Sequence, residues 1–122
     1  MRNGYFAGAV VCFGLLGPNM AHAAETVTSF LQAVDEPLDH SVAVTRLSGI
    51  YSGLSQANSY LADDRREAPI YCVPEQLALT EDQMVSLLRK SVQEDAQMGQ
   101  MPVSAALLVV MKKTFPCAAA AK

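Results

Sequence analysis

Two cysteines, each within two residues of a proline, constrain this chain more than any other feature. Cys72 stands in Ile70-Tyr71-Cys72-Val73-Pro74, and Cys117 closes Phe115-Pro116-Cys117. Whether they pair depends on the redox compartment, and the N-terminus speaks to that. Arg2 supplies a positive start, Tyr5 to Gly17 is an uncharged and mostly apolar run, and Pro18 breaks it. Ala21-His22-Ala23 then offers small residues where a signal peptidase needs them. Residues 1–23 therefore read as a cleavable leader, with the mature chain starting at Ala24. The apolar run is shorter than the roughly 20 residues of a membrane span. Val11 ahead of Cys12 also lacks the small residue a lipoprotein signal wants. Export places Cys72 and Cys117 in an oxidising compartment, where an even pair reads as a disulfide. It closes a loop of about 46 residues, for which the chain-entropy model gives roughly 4 kcal/mol. A single domain has on the order of 5–15 kcal/mol in all, so that bond is a large share. Neither cysteine has a positive charge close in sequence to activate a thiolate.

The remaining composition narrows the class. The chain has 122 residues, room for one domain, and 51% of them are hydrophobic, too many for a disordered chain. Its formal net charge is −3, and removing the leader takes away a basic residue and no acidic one. With no Lys/Arg run to displace counterions, nucleic acid is not an expected partner.

Along residues 24–122 four segments with the helical period account for most of the apolar pattern, and no stretch alternates as a half-buried strand would. Val27, Phe30, Leu31 and Val34 form one stripe, ended by Pro37. A second helix runs from about Asp39 or Ser41 to Ala62, with Leu47, Ile50, Tyr51, Leu54, Ala57 and Leu61 on one face. Gly49, Gly53 and Ala57 recur every four residues on it. Each glycine costs about 1 kcal/mol against alanine in a helix, so the stripe reads as a place where another helix packs closely. Pro69 and Pro74 forbid helix across a linker from Asp63 to Leu79. Thr80-Glu81-Asp82-Gln83 is a capping box, opening a third helix whose apolar face is Met84, Leu87, Leu88 and Val92. Gln97 to Gln100 reads as a polar loop, and Pro102 suits the first turn of a fourth helix ending near Phe115. That helix is apolar all round until Lys112-Lys113, as a helix surrounded by others, or by a second copy, would be. The expected fold is all-α, a compact bundle of about four helices with one disulfide and no membrane span.

Catalytic constellations are missing. His40 is the one histidine beyond the leader, and its neighbours Asp35, Glu36 and Asp39 lack the Cys and His ligands of a structural zinc site. No serine sits on a Gly-x-Ser-x-Gly turn. Asp63 and Asp64 are adjacent to Arg65 and Arg66, which neutralise them, and no Trp exists for a sugar platform. Gly49-x-x-x-Gly53 is not followed by the Lys-Ser/Thr of a phosphate loop. The reading is a protein that is not an enzyme and takes no cofactor or metal.

One family shares these landmarks. Cys72-Val73-Pro74, Thr80 with Gln83, Pro102 and Phe115-Pro116-Cys117 resemble the second half of the Rap/Tai proteins. Those are periplasmic immunity proteins against peptidoglycan amidases delivered by type VI secretion. Ser48-Gly49-Ile50-Tyr51-Ser52-Gly53-Leu54-Ser55-Gln56-Ala57 is similar to the family's Gly-Tyr-x-x-Gly-x-x-x-Ala helix, with Ile50 in place of Tyr, and Phe30-Leu31 matches its opening pair. Val34 and Leu47 stand where many members carry a second cysteine pair, and Ala96 where the family often has proline. The resemblance implies a chain, often a homodimer, that occludes the cleft of a secreted amidase with a loop and a helix edge. Here the corresponding surface is Asp95, Gln97, Met98 and Gln100, where Met98 is an apolar side chain among polar ones. Two other classes compete. One is a small acid-stress chaperone of the HdeA type, which loosens when its carboxylates protonate; the other is an envelope scaffold with no toxin.

Overall fold

The computed structural model describes residues 24–118. The leader read over residues 1–23, with its cleavage point after Ala23, lies outside them. Four α-helices follow in order: α1 (Val27–Asp35), α2 (His40–Asp63), α3 (Glu81–Glu94) and α4 (Val103–Thr114), with a short 3-10 helix (Ala96–Gln100) between the last two. No strand is present among the described residues.

Local chemistry sets the ends of these elements. Thr26 Oγ1 accepts from the Ser29 N–H at 3.3 Å and caps α1. The capping box at α3 is reciprocal: Gln83 N–H donates to Thr80 Oγ1 at 3.3 Å, and Thr80 N–H donates to Gln83 Oε1 at 2.9 Å. Glu81 and Asp82 in that first turn, and Lys112 and Lys113 in the last turn of α4, match the sign of each helix dipole. Pro102 is the N-cap of α4 rather than its first helical residue. The chain leaves α2 through Arg66, at φ 53°, and Glu67 N–H then closes on the Leu61 carbonyl at 2.8 Å.

Phe30, Leu47, Met84, Leu88, Leu107 and Met111 are fully buried at the centre, one or more from every α-helix. Val34 and Leu47 both lie in this core.

Three straps hold the bundle. Val27 N–H donates to the Met101 carbonyl and Val103 N–H to the Glu25 carbonyl, each at 3.0 Å, which fastens the start of α1 to the start of α4. At the other end of α4, the Cys72–Cys117 disulfide forms with a Cα–Cα distance of 4.9 Å, and Cys72 N–H donates to the Phe115 carbonyl at 2.8 Å. The third strap comes from one side chain. The Asn58 carboxamide on α2 accepts from Ile70 N–H at 2.6 Å and Tyr71 N–H at 3.4 Å, and donates to the Tyr71 carbonyl at 2.8 Å. An extended segment with no ladder partner thus has its backbone groups satisfied by one side chain.

One expectation needs correction, and two others take a narrower form within a single chain. Residues 97–100 are not an irregular loop but lie in the 3-10 helix. The glycine stripe makes no close contact within the chain: a Cβ on Gly49 or Gly53 would meet nothing within 4 Å, and Ala57 is exposed. Within one chain helix α4 is not enclosed on all sides, because Val109 remains 46% exposed.

Candidate interaction edge around the 3-10 helix

The residues expected to form a partner surface lie on one short, ordered turn between α3 and α4. Asp95 ends α3, its N–H donating to the Ser91 carbonyl at 2.9 Å, while its Oδ1 accepts from the Gln97 N–H at 2.9 Å and starts the 3-10 helix. Met98 N–H returns to the Asp95 carbonyl at 3.0 Å, and Met101 N–H to the Met98 carbonyl at 3.2 Å. Gly99 is buried, and Thr28 Oγ1 on α1 donates to its carbonyl at 2.9 Å. A Cβ at Gly99 would stand 2.6 Å from Thr28 Oγ1, so any larger residue here would push the Thr28 hydroxyl out of this hydrogen bond. The turn is thereby fixed before any partner arrives, which lowers the ordering cost of binding.

Asp95, Gln97 and Gln100 are exposed, as a contact surface requires. Met98 differs from expectation. It is half-buried and packs against the core, so it is not a free apolar tip. The outward apolar group is Val109 on α4, which shares with Met98 a hollow of about 190 Å³ rimmed by Glu94, Asp95 and Lys113. The sequence held a signal for Val109: a helix with apolar residues all round must turn some of them outward unless it is wrapped completely.

The rim carries a small charge network. Lys113 Nζ on α4 donates to Glu94 Oε2 on α3 at 2.7 Å, and Lys90 Nζ lies 3.9 Å from Glu94 Oε1. The Lys113 hydrogen bond and charge, with a smaller contribution from Lys90, hold the Glu94 carboxyl below the usual carboxylate range.

Other chemistry-bearing residues have structural roles. His40 Nδ1 donates to the Val34 carbonyl at 2.8 Å, joining the start of α2 to the last turn of α1. Both cysteines among the described residues, Cys72 and Cys117, are in the disulfide, so neither is a thiol. No group of three or more His, Cys, Asp or Glu is placed to hold a metal among the described residues, and no helix among them is long and apolar enough to cross a membrane.

No family model, curated protein or solved structure matches this chain. The edge combines an apolar hollow, a charged rim and exposed amides on a turn tied to two helices. That arrangement suits contact with another protein's surface.

Proposed function

We propose that this protein is a non-catalytic immunity protein of the Rap/Tai type, exported to the periplasm, that binds a type VI-secreted peptidoglycan amidase and blocks its active site. The observation that carries this reading is the pre-ordered turn 95–100 beside the exposed Val109. Occlusion of a cleft asks for a rigid projecting shape with an apolar centre and a polar rim, and asks nothing of nucleophiles or metals. Asp95, Gln97 and Gln100 are the polar contacts in this proposal, and Met98 with Val109 supplies the apolar centre. A stable complex of ordinary size covers about 800 Å² on each partner, so the contact extends beyond the turn along α3 and α4. The acidic balance of the chain also favours encounter with a basic, wall-binding enzyme, an attraction that salt weakens.

One observation favours the acid-stress chaperone as a second reading. Carboxylates join separate elements in three ion pairs, Glu25 to Arg46, Asp35 to Arg89 and Glu94 to Lys113, and acid would release them together. All three are exposed, and exposed pairs of this kind each contribute about 0–1 kcal/mol, which is little to build a switch on.

The test is co-expression of this protein in the periplasm with each amidase encoded beside its gene, followed by binding of the purified pair. Protection from lysis and a nanomolar complex, about −12 kcal/mol, support the proposal. Val109→Asp combined with Gln97→Ala should abolish protection while leaving the melting temperature nearly unchanged. Equal lysis with and without the protein, for every such amidase, overturns it.

A further inference from the structure

We propose that the seam between α3 and α4 is a docking groove for an amphipathic helix of another protein, one that presents two apolar side chains with a carboxylate between them. One end of this groove is the hollow at Met98 and Val109. The inference goes beyond the amidase reading, because it asks only for a helix of this pattern, whichever protein carries it.

Continuity is the first argument. Three hollows lie along the seam, and each shares wall residues with the next. The first, of about 440 Å³, is walled by Leu77 and Leu79 from the linker, Leu87 from α3 and Phe115 after α4. Leu87 and Lys90 also wall a second hollow of about 250 Å³, which Val110 and Lys113 close from the α4 side. Glu94, Val110 and Lys113 continue it into the hollow at Met98 and Val109. Gln83 lines the first hollow and Glu94 the last, eleven residues apart on α3. At the rise of an α-helix that is about 16 Å. Two exposed large apolar side chains mark the ends, Leu77 at 38% exposure and Val109 at 46%.

Charge is the second argument. Two lysines, Lys90 and Lys113, line the middle hollow, and Glu94 is its one carboxylate. Glu94 accepts from Lys113 at 2.7 Å and lies 3.9 Å from Lys90, so it serves both and leaves one positive charge unbalanced. Both lysine side chains are nearly three-quarters exposed, at 72% and 73%, and neither has another carboxylate partner among the described residues. At the ends the sign reverses, with Asp82 on the first hollow and Asp95 on the last. A complementary partner therefore carries a carboxylate at its centre and basic residues beyond its apolar anchors.

The third argument concerns the shape of the occupant. An extended segment would need backbone partners, and among the described residues no strand offers an edge. Laid along this seam it would hold its own N–H and C=O groups against apolar side chains, whereas a helix satisfies them internally. Positions i, i+4, i+7 and i+11 of a helix share one face, and the outer two stand about 16 Å apart, the span of the groove. A second copy of this chain lacks the pattern. Its long outward face belongs to α2, and residues 40–62 of that helix include no Asp or Glu.

Stapled helical peptides of about five turns test the groove, with binding followed by amide chemical shifts of the ¹⁵N-labelled, disulfide-bonded protein. The first peptide has Leu at i and i+11 and Glu at i+4 and i+7, so either direction along the seam offers a carboxylate to Lys90 and Lys113. The others replace both Glu by Gln, both Glu by Lys, or both Leu by Ser, at helicity matched by circular dichroism. Expected are saturable shifts at both Leu79 and Val109 with the Glu peptide, none with the Ser peptide, and about tenfold weaker binding of the Gln peptide. Lys90→Glu leaves the Lys113–Glu94 pair in place and alters an exposed side chain, so the melting temperature should hardly move. It should weaken the Glu peptide by about tenfold or more and make the Lys peptide the tighter ligand. No amidase enters this experiment, so its failure is separate from failure of the immunity reading. Shifts that do not saturate, that stay at one end of the seam, or that the Gln peptide matches at equal affinity overturn the proposal. So does a Lys90→Glu variant that still prefers the Glu peptide. Seam shifts that depend on the concentration of the free protein, with a dimer mass by light scattering, assign the groove to a second copy and overturn it too.

Discussion

Asn58 is the single side chain on which most of the linker's order depends. It makes three hydrogen bonds to the backbone of residues 70 and 71, all reached across 12 or 13 residues of sequence. Asn58→Ala leaves two N–H donors and a carbonyl without their partner. At about 1 kcal/mol for each net hydrogen bond, denaturant unfolding should show a loss of about 2–3 kcal/mol. Asn58→Asp keeps the acceptor and should recover part of it; an unchanged midpoint in Asn58→Ala would mean the segment is held by the disulfide alone. At Glu94 the effect is on titration. Its carboxyl is held below the usual range chiefly by Lys113, so the folded form binds a proton less readily than the unfolded form. The ion pair therefore contributes above the unfolded carboxylate pKa and is lost as pH falls through the lower folded value. Lys113→Ala should move the Glu94 titration, followed by side-chain carboxyl chemical shifts, back up toward the ordinary range. No change would show that Lys113 does not engage Glu94 in solution.

At the scale of whole elements, the periodicity of apolar residues located all four α-helices to within about two residues, the usual uncertainty of helix ends. What each helix does with its faces was less legible. In α2 the half-buried side is set by Leu47, Ile50, Tyr51 and Leu54, as the spacing implied, but Gly49 and Gly53 face open space. Glycine there brings the cost of backbone freedom without the compensation of a close neighbour. Gly53→Ala should therefore raise stability by about 1 kcal/mol, measured by thermal melting with the mass followed by light scattering. A destabilised variant, or one whose dimer dissociates, would show that a second copy covers this face, as the homodimer expectation requires. The short element 96–100 escaped sequence reading for a different reason. Its turn is imposed by contacts to α1 through Thr28 and Gly99, and nothing in Gln97-Met98-Gly99-Gln100 alone demands it.

For the whole molecule, the disulfide is the link that makes a loose set of helices one unit. It joins the linker to the end of α4, at the opposite end of that helix from the backbone strap at Met101 and Val103. Cys117→Ser should lower stability by roughly 4 kcal/mol, read from denaturant midpoints of the oxidised and variant proteins. An unchanged midpoint would mean that the linker is held by other contacts alone and that the loop constraint contributes nothing. With Asn58→Ala the two losses should fall short of additive, because both act on the same segment from Pro69 to Val73.

Sequence alone determined the class of the fold, the helix positions, the capping box at Thr80 and the pairing of Cys72 with Cys117. Each follows from local preference or from arithmetic: a 3.6-residue period, residues three apart, an even pair of thiols. Only the tertiary structure decided which apolar residues face outward, since burial depends on what a helix meets and not on its own pattern. It turned Met98 inward and Val109 outward, left the glycine face of α2 open, and used Asn58 to hold a segment that has no regular structure of its own. Long-range contacts of this kind form only once the chain is closed, because the linker reaches α2 by way of two prolines and a disulfide that local pattern cannot trace.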